Sequence, residues 1–263
     1  MPGRITNTLQ HYERNGAALV REAFGDVWID ALRRATERAL VEDGVYDEDY
    51  AVGGERGRFF ETTYLWCRYP EFRDFAFHST AKSIARRVMA SSTVALFYDQ
   101  VFVKEPGTAK RTPWHQDRPY WALQGSQMCS IWLALDDIAA DNCIAFVAGS
   151  HHWDEYRAYH FMDRSPYRGQ EALQSMPEIL ENGAVPILAW DLRPGDCIVF
   201  HPLVIHGAPG NSSRASRRRA VVTRWIGDDV TYRGVNREFA FPKGSFDLRD
   251  GEKLPENLAP RVE

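Results

Sequence analysis

The sequence predicts a mainly β protein, a jelly-roll core with helices flanking it, and three observations carry that expectation. From about residue 93 the chain breaks into short runs rich in β-branched and aromatic residues: "TVALFYDQVFVKEPG", "QMCSIWLALDDI", "CIAFVAG", "DCIVFHPLVIHG" and "RRRAVVTRWIG". Turn signals such as "EPG", "RPGD" and "APGN" separate them. No helices alternate with the runs, which favours an antiparallel sandwich or barrel over a parallel α/β sheet.

The preceding part, 1–92, reads as mostly helical. Trp28, Leu32, Ala35 and Ala39 recur at helical spacing, and Phe72, Phe75, Ile84 and Val88 predict a second helix. The glycine-rich, charged stretch "GGERGR" (53–58) reads as a loop close to the candidate site. The jelly-roll core is assigned to 93–240, and the proline-, glycine- and charge-rich remainder, 241–263, to an irregular tail. With no internal repeat and no low-complexity linker, the 263 residues are expected to form a single domain.

Composition narrows the function. A hydrophobic content of 44% and a charged content of 26% are those of a soluble globular protein. A net charge of −4 supplies no global attraction to nucleic acid or to an anionic membrane. No apolar run approaches the ~20 residues of a membrane span. Cys67, Cys129, Cys143 and Cys197 are scattered without a CxxC pair, which fits reduced core thiols in a cytoplasmic protein. The sequence holds no HExxH, GxSxG, P-loop or GxGxxG, which removes zincins, common serine hydrolases, nucleotide phosphotransferases and Rossmann dehydrogenases as leading ideas.

The candidate chemistry starts at "PWHQD". On a strand, residues two apart project from one face, so His115 and Asp117 can converge on one ion. The third candidate is His206 in "FHPLVIHGAPGN", 206 − 115 = 91 residues on and expected from a distant strand. His201 is the rival. Five residues apart on a strand means opposite faces, so one of the two should see the metal, and His201 reads as a structural histidine near a turn. Two histidines and a carboxylate on one side of a metal leave three adjacent positions open, as in non-haem Fe(II) oxygenases. A chelating keto-acid takes two of these and dioxygen the third. The far carboxylate of the keto-acid suits a guanidinium, and "RRRAVVTRW" offers three in a row. Alternation puts Arg218, Ala220, Val222 and Arg224 on one face and Arg217, Arg219, Val221 and Thr223 on the other, without saying which face is inward. The small Ala220 leaves room for a cosubstrate and tips the choice to Arg218.

Taken together, "DQVFVKEPG", "PWHQDRPYW", "SIWLALDDIAADNCIAFVAGSH", "RPGDCIVFHPLVIHGAPGN" and "RRRAVVTRW" resemble, in order and spacing, the phytanoyl-CoA dioxygenase family of Fe(II)/2-oxoglutarate-dependent oxygenases. The resemblance spans roughly 93–226, and "YERNGAALVREAF" is similar to the family's opening. It implies a double-stranded β-helix (jelly-roll, cupin-like) core, iron held by His115, Asp117 and His206, and 2-oxoglutarate held by Arg218. It also implies Trp132 and Lys104 as members of the 2-oxoglutarate pocket, with Gln100 pointing inward. Fe(II), 2-oxoglutarate and O2 are the implied cofactors, and hydroxylation of a small organic metabolite with release of succinate and CO2 is the implied reaction. Because Asp117 fills the carboxylate position that related halogenases leave to a small residue, hydroxylation is favoured over halogenation. Desaturation, ring closure and epimerisation stay open. The chain departs from the family pattern at Cys143, Ala148 and Ala208.

Two other readings stand beside this one: a non-catalytic jelly-roll that binds a metal or small molecule, and a cupin-type metalloenzyme that uses no 2-oxoglutarate. The patch "RASRRR" (214–219) is too short, in a net-acidic chain, to argue for nucleic acid. Trp114, Tyr120 and Trp121 divide evenly between core packing and shaping a substrate pocket. Arg118, Arg58, Arg68 and Arg224 read as ordinary surface or pairing arginines. The regions expected to choose the substrate are the N-terminal helical part, about 53–70 and about 153–180, whose arginines and tyrosines hint at a polar or acidic molecule. The oligomeric state is not legible.

Overall fold

The computed structural model describes residues 2–50, 57–179, 184–234 and 247–262. Four helices are α1 (Pro2–Asn15), α2 (Asp26–Ala39), α3 (Pro70–His78) and α4 (Ala81–Val88). Thirteen strands follow in chain order: β1 (Ala17–Val20), β2 (Glu48–Asp49), β3 (Phe59–Thr63), β4 (Ala95–Lys104), β5 (Thr112–His115), β6 (Leu123–Gln124), β7 (Met128–Ala134), β8 (Ala145–Val147), β9 (Ile187–Leu188), β10 (Cys197–Phe200), β11 (His206–Ala208), β12 (Arg218–Ile226) and β13 (Thr231–Tyr232).

The β core consists of two main antiparallel sheets of the cupin-like jelly-roll type, not closed into a barrel. The larger runs β1-β10-β7-β12-β4-β3-β2 and the smaller β5-β11-β8-β9. Each apolar run from 93 onward supplies the expected strand. Their residues divide by parity between two cores. On the outer face of the large sheet, Val101, Val103, Ile131, Leu133, Val221 and Trp225 pack against Ile29, Leu32, Phe72 and Phe75 of the helices. On the inner face, Trp132, Ala134, Ile198, Phe200, Ala220 and Val222 meet Phe146 of the small sheet. Burying such side chains contributes about 1.5–3 kcal/mol each, so alternation on β4, β7 and β12 fixes the layers.

Two expectations need correction. The second N-terminal helix is two helices. Ser79, with φ −81° and ψ 179°, is extended and interrupts the helical path, and its hydroxyl accepts the Ala81 N–H (3.2 Å). The N-terminal part is also less purely helical than its periodicity suggests, because β1 pairs with β10 and β3 with β4. "AALV" and "FFETT" are too short to show a period, and tertiary pairing decides them. The tail over 247–262 is irregular and packed: Leu258, Ala259 and Val262 are buried, and Leu96 donates its N–H to the Pro260 carbonyl (3.0 Å). Of "GGERGR", residues 53–56 lie outside the described residues.

Cys129, Cys143 and Cys197 are buried thiols as expected, whereas Cys67 is exposed; all four are free. No described helix is long and apolar enough to cross a membrane.

Candidate metal centre

Strand β5 ends at His115, and its Cα partner across the small sheet is His206, the first residue of β11. The two histidines are therefore neighbours in space, brought together from strands distant in sequence. A Cβ on Gly207 would stand 3.1 Å from the Thr112 carbonyl and 3.2 Å from Trp114, so glycine is what lets β11 lie this close to β5. Asp117 does not share the strand with His115. The chain leaves β geometry there, Asp117 has φ −71° and ψ −39°, and a short 3-10 turn over Arg118–Tyr120 follows. The carboxylate arrives by a turn, and same-face alternation is not the reason.

The three side chains converge. Asp117 Oδ1 lies 3.7 Å from both His115 Nε2 and His206 Nε2. One donor atom from each residue falls within 4.8 Å of the others, in the one such His/Cys/Asp/Glu group found among the described residues. All three residues are buried. His115 Nδ1 donates to the Pro113 carbonyl (2.8 Å) and His206 Nδ1 to the Val204 carbonyl (2.9 Å). A carbonyl can only accept, so each Nδ1 carries hydrogen, and each ring turns Nε2 towards Asp117. Burial, with His115 beside it, pushes His206 down to about 3 and keeps it a neutral donor. Burial also opposes charge on Asp117, yet Arg224 and the two histidines outweigh it and hold the carboxyl well below the usual range. Asp117 Oδ2 accepts the Ser130 hydroxyl (3.1 Å), which fixes the carboxylate with Oδ1 towards the histidines. Two imidazoles presenting Nε2 and one oriented carboxylate are a donor set that fits a divalent first-row metal.

The triad lies on the wall of a cavity of about 460 Å³, within the size range of small-molecule sites. The inner face of the large sheet supplies the opposite wall. Register places Gln100, Val222 and Trp132 in one row across β4, β12 and β7, and Lys104 beside Arg218. All four polar or aromatic candidates, Arg218, Trp132, Lys104 and Gln100, line the cavity. Arg218 is buried and donates to the carbonyls of Asn142 and Pro209. Two such bonds leave most of its five N–H groups for a ligand, and burial lowers it to about 10. Arg217 and Arg219 lie on the other side of the strand in ion pairs with Glu37, Glu105 and Asp136. The basic patch is thus spent on partners and on the cavity. Lys104 Nζ donates to the carbonyls of Lys110 (2.9 Å) and Pro209 (2.8 Å), and burial next to Arg218 pushes it down to about 6.

Of the other residues, some fall as expected and some do not. His201 follows β10 in a turn, not on a strand with His206, and its Nδ1 accepts the Leu203 N–H (3.1 Å). Arg118 is half-buried and donates to the Gly125 carbonyl (3.0 Å), in place of the expected surface salt bridge. Arg58 and Arg68 pair with Asp49 and Asp47 as ordinary pairing arginines. Arg224 is buried in the cavity wall. Tyr120 stands edge-on to His115 at 5.9 Å, whereas Trp121 is core and donates to the Tyr98 hydroxyl (3.1 Å). Phe161 packs on His115 at 4.8 Å, so the 153–180 segment does reach the cavity. Glu61 of β3 also lines it, bonded to the Tyr50 hydroxyl (2.8 Å) and raised by burial to about 7.

Fold and site together define a cupin-like jelly-roll with a two-histidine, one-carboxylate centre. The family model for phytanoyl-CoA dioxygenase (PhyH) matches residues 12–220, and the chain belongs to this family. A probable phytanoyl-CoA dioxygenase of Caenorhabditis elegans is 24% identical over 250 residues, covering 89% of this chain and 74% of that protein. The peroxisomal phytanoyl-CoA dioxygenase of Homo sapiens is 26% identical, over 66% of this chain and 50% of that protein. Among solved structures, the α-ketoglutarate-dependent epimerase SnoN superposes with a TM-score of 0.79 at 20% identity, covering 100% of both chains. The carbocyclase SnoK does so with a TM-score of 0.76 at 23% identity, covering 98% of this chain and 96% of its own. SnoN has also been solved with Fe3+, α-ketoglutarate and nogalamycin RO.

Proposed function

We propose that the chain is an Fe(II)- and 2-oxoglutarate-dependent dioxygenase that hydroxylates an unactivated C–H bond of a small organic molecule, releasing succinate and CO2. The observation that carries this reading is the convergence of His115, Asp117 and His206 on the wall of a cavity whose facing wall holds Arg218. His115 Nε2, Asp117 Oδ1 and His206 Nε2 hold the iron, which with its cosubstrate supplies the activation of dioxygen. The carbonyls of Pro113 and Val204 keep both rings in the donor tautomer, and Ser130 keeps Asp117 turned inward. Arg218 pairs with the far carboxylate of 2-oxoglutarate. Trp132, Lys104 and Gln100 shape the pocket around it. Phe161 and Tyr120 cover His115 and keep water from the reacting carbon. Asp117 fills the position a halide would need, which favours hydroxylation over halogenation.

A second reading, epimerisation or ring closure, is supported by the end-to-end likeness to SnoN and SnoK. These outcomes share loss of hydrogen from carbon and differ in how the substrate is held afterwards.

The test is anaerobic. Fe(II) and then 2-oxoglutarate are added to the protein while the visible metal-to-ligand charge-transfer band is followed. The band is expected in the wild type and lost in His206→Ala. Its absence from folded, iron-loaded wild type would favour a cupin-type enzyme without 2-oxoglutarate or a non-catalytic binding protein.

A further inference from the structure

Arg224 is the buried group in the cavity that the proposed reaction leaves unused. It stands at the end of the inward row Arg218, Ala220, Val222, Arg224, and is 5% exposed. Its Cζ lies 4.5 Å over the Tyr98 ring. Its Nε and Nη1 have no hydrogen-bond partner among the described residues. A buried guanidinium so placed forgoes hydrogen bonds that it would make in water, a cost of about 1–3 kcal/mol for each group left unsatisfied.

Neighbouring carboxyls do not use it up. Asp117 Oδ2 is 3.7 Å from Arg224 Nε, beyond hydrogen-bond reach, and already accepts the Ser130 hydroxyl at 3.1 Å. Asp99 belongs to the odd-numbered face of β4, and its Oδ2 receives the Trp66 N–H at 2.9 Å. Glu61 accepts the Tyr50 hydroxyl at 2.8 Å.

The charges of the cavity call for one more anion. This step rests on the proposed Fe(II)/2-oxoglutarate reading. Fe(II) and the 2-oxoglutarate dianion cancel, and Lys104 and Glu61 cancel too, whether both are ionised or both neutral. Two guanidiniums, Arg218 and Arg224, then face the single carboxylate of Asp117, which leaves one positive charge in excess among these buried groups; Glu48 and Asp163 are exposed at the mouth. The nearby surface is aromatic: Tyr120 contacts Phe161 and Tyr167 at ring-centre separations of 5.8 and 5.6 Å.

We propose that Arg224 is the substrate's anion anchor, and that the cavity takes a molecule with an apolar or aromatic body and a single carboxylate. The carboxylate enters beside Tyr98 and pairs with the free guanidinium nitrogens. This fixes the body against Phe161 and Tyr120, beside the triad. Arg218 and Arg224 then divide two carboxylic acids between them, one for the cosubstrate and one for the substrate.

The experiment measures binding, not turnover. Protein loaded anaerobically with Fe(II) and 2-oxoglutarate is titrated by calorimetry with phenylacetate, 3-phenylpropionate and cyclohexylacetate, and with the matching amides. At least one acid is expected to bind ten-fold or more tightly than its amide. That acid should lose ten-fold or more in Arg224→Gln and in Arg224→Met, and recover partly in Arg224→Lys. The affinity of Arg224→Gln for 2-oxoglutarate, read from the charge-transfer band, should stay within two-fold of wild type. Arg224→Met keeps an apolar stem over Tyr98 and guards against a folding defect in the glutamine variant. The proposal is overturned if no acid outbinds its amide, or if the arginine variants bind the acid as well as wild type. It is overturned equally if Arg224→Gln loses 2-oxoglutarate in parallel, for Arg224 would then only position Asp117. Failure of the underlying reading is visible separately, as no charge-transfer band in wild type.

Discussion

On the outer side of β12, Arg217 and Arg219 are consumed by carboxylates, whereas on its inner side Arg218 and Arg224 meet no carboxylate at hydrogen-bond distance. Arg219 donates to Asp136 through Nε (3.0 Å) and Nη2 (2.6 Å), and to Glu37 through Nη1 (2.7 Å). Among the described residues Arg218 bonds backbone carbonyls alone, and two nitrogens of Arg224 bond nothing. The histidines of "FHPLVIHG" divide the same way. His201 spends its Nδ1 on the Leu203 N–H, while His206 spends Nδ1 on a carbonyl and leaves Nε2 facing Asp117. Polar groups whose hydrogen bonds close within the chain serve the fold, and those left open towards one cavity mark where ligands complete them.

The largest effect should come from the inner side. Arg218→Gln removes the charge that the proposal assigns to the far carboxylate of 2-oxoglutarate. Losing one partner of a buried charge pair costs about 2–5 kcal/mol, so 2-oxoglutarate affinity should fall by ~30-fold or more. Titration of the charge-transfer band measures this. An unchanged affinity would break the contrast between the two faces.

The outer side should answer in stability instead. Arg219→Gln takes three hydrogen bonds from Asp136 and Glu37, at a part-buried site where both arginine and Asp136 side chains are 14% exposed. A loss of about 1–2 kcal/mol is expected, equivalent to roughly 3–6 °C in melting temperature for a domain of this size. The 2-oxoglutarate titration should not move. If it weakens as much as in Arg218→Gln, the faces are not functionally distinct.

Much of this was legible in advance, and the failures have specific causes. The strands from 93 onward are apolar runs whose burial is decided locally, and they fall where the pattern puts them. His115, Asp117 and His206 were found by residue type and spacing. Same-face alternation nevertheless does not account for Asp117, since a turn delivers it. Parity divided the arginines of "RRRAVVTRW" correctly but could not say which set faced in; the opposing sheet decides that. Once Arg218 is inward, the same parity carries Arg224 inward, a signal that its reading as an ordinary pairing arginine passed over. Ser130 sits inside the apolar run "CSIWLALDD" with nothing local to mark it. Glu61 was hidden because "FFETT" shows no resolvable period and becomes a strand only by pairing with β4.

The smallest effect separates the two histidines and needs no ligand. Burial, with His151, Arg118 and His152 nearby, holds His201 at about 4, below the ordinary value of 6.5. Between those values the unfolded chain binds the extra proton and the folded chain does not. The contribution is therefore fully present above pH 6.5 and is lost as pH falls towards 4, with a slope of at most ~1.4 kcal/mol per pH unit. His201→Asn keeps a side-chain acceptor for the Leu203 N–H and removes the titration. Denaturant unfolding of wild type and variant from pH 7 to 4.5 should show stabilities that differ most at pH 7 and converge as the pH falls. Wild type falls faster because it alone bears the cost of keeping that ring neutral. Parallel curves would mean that His201 takes up its proton within the fold, and the division between a closed His201 and an open His206 would fail.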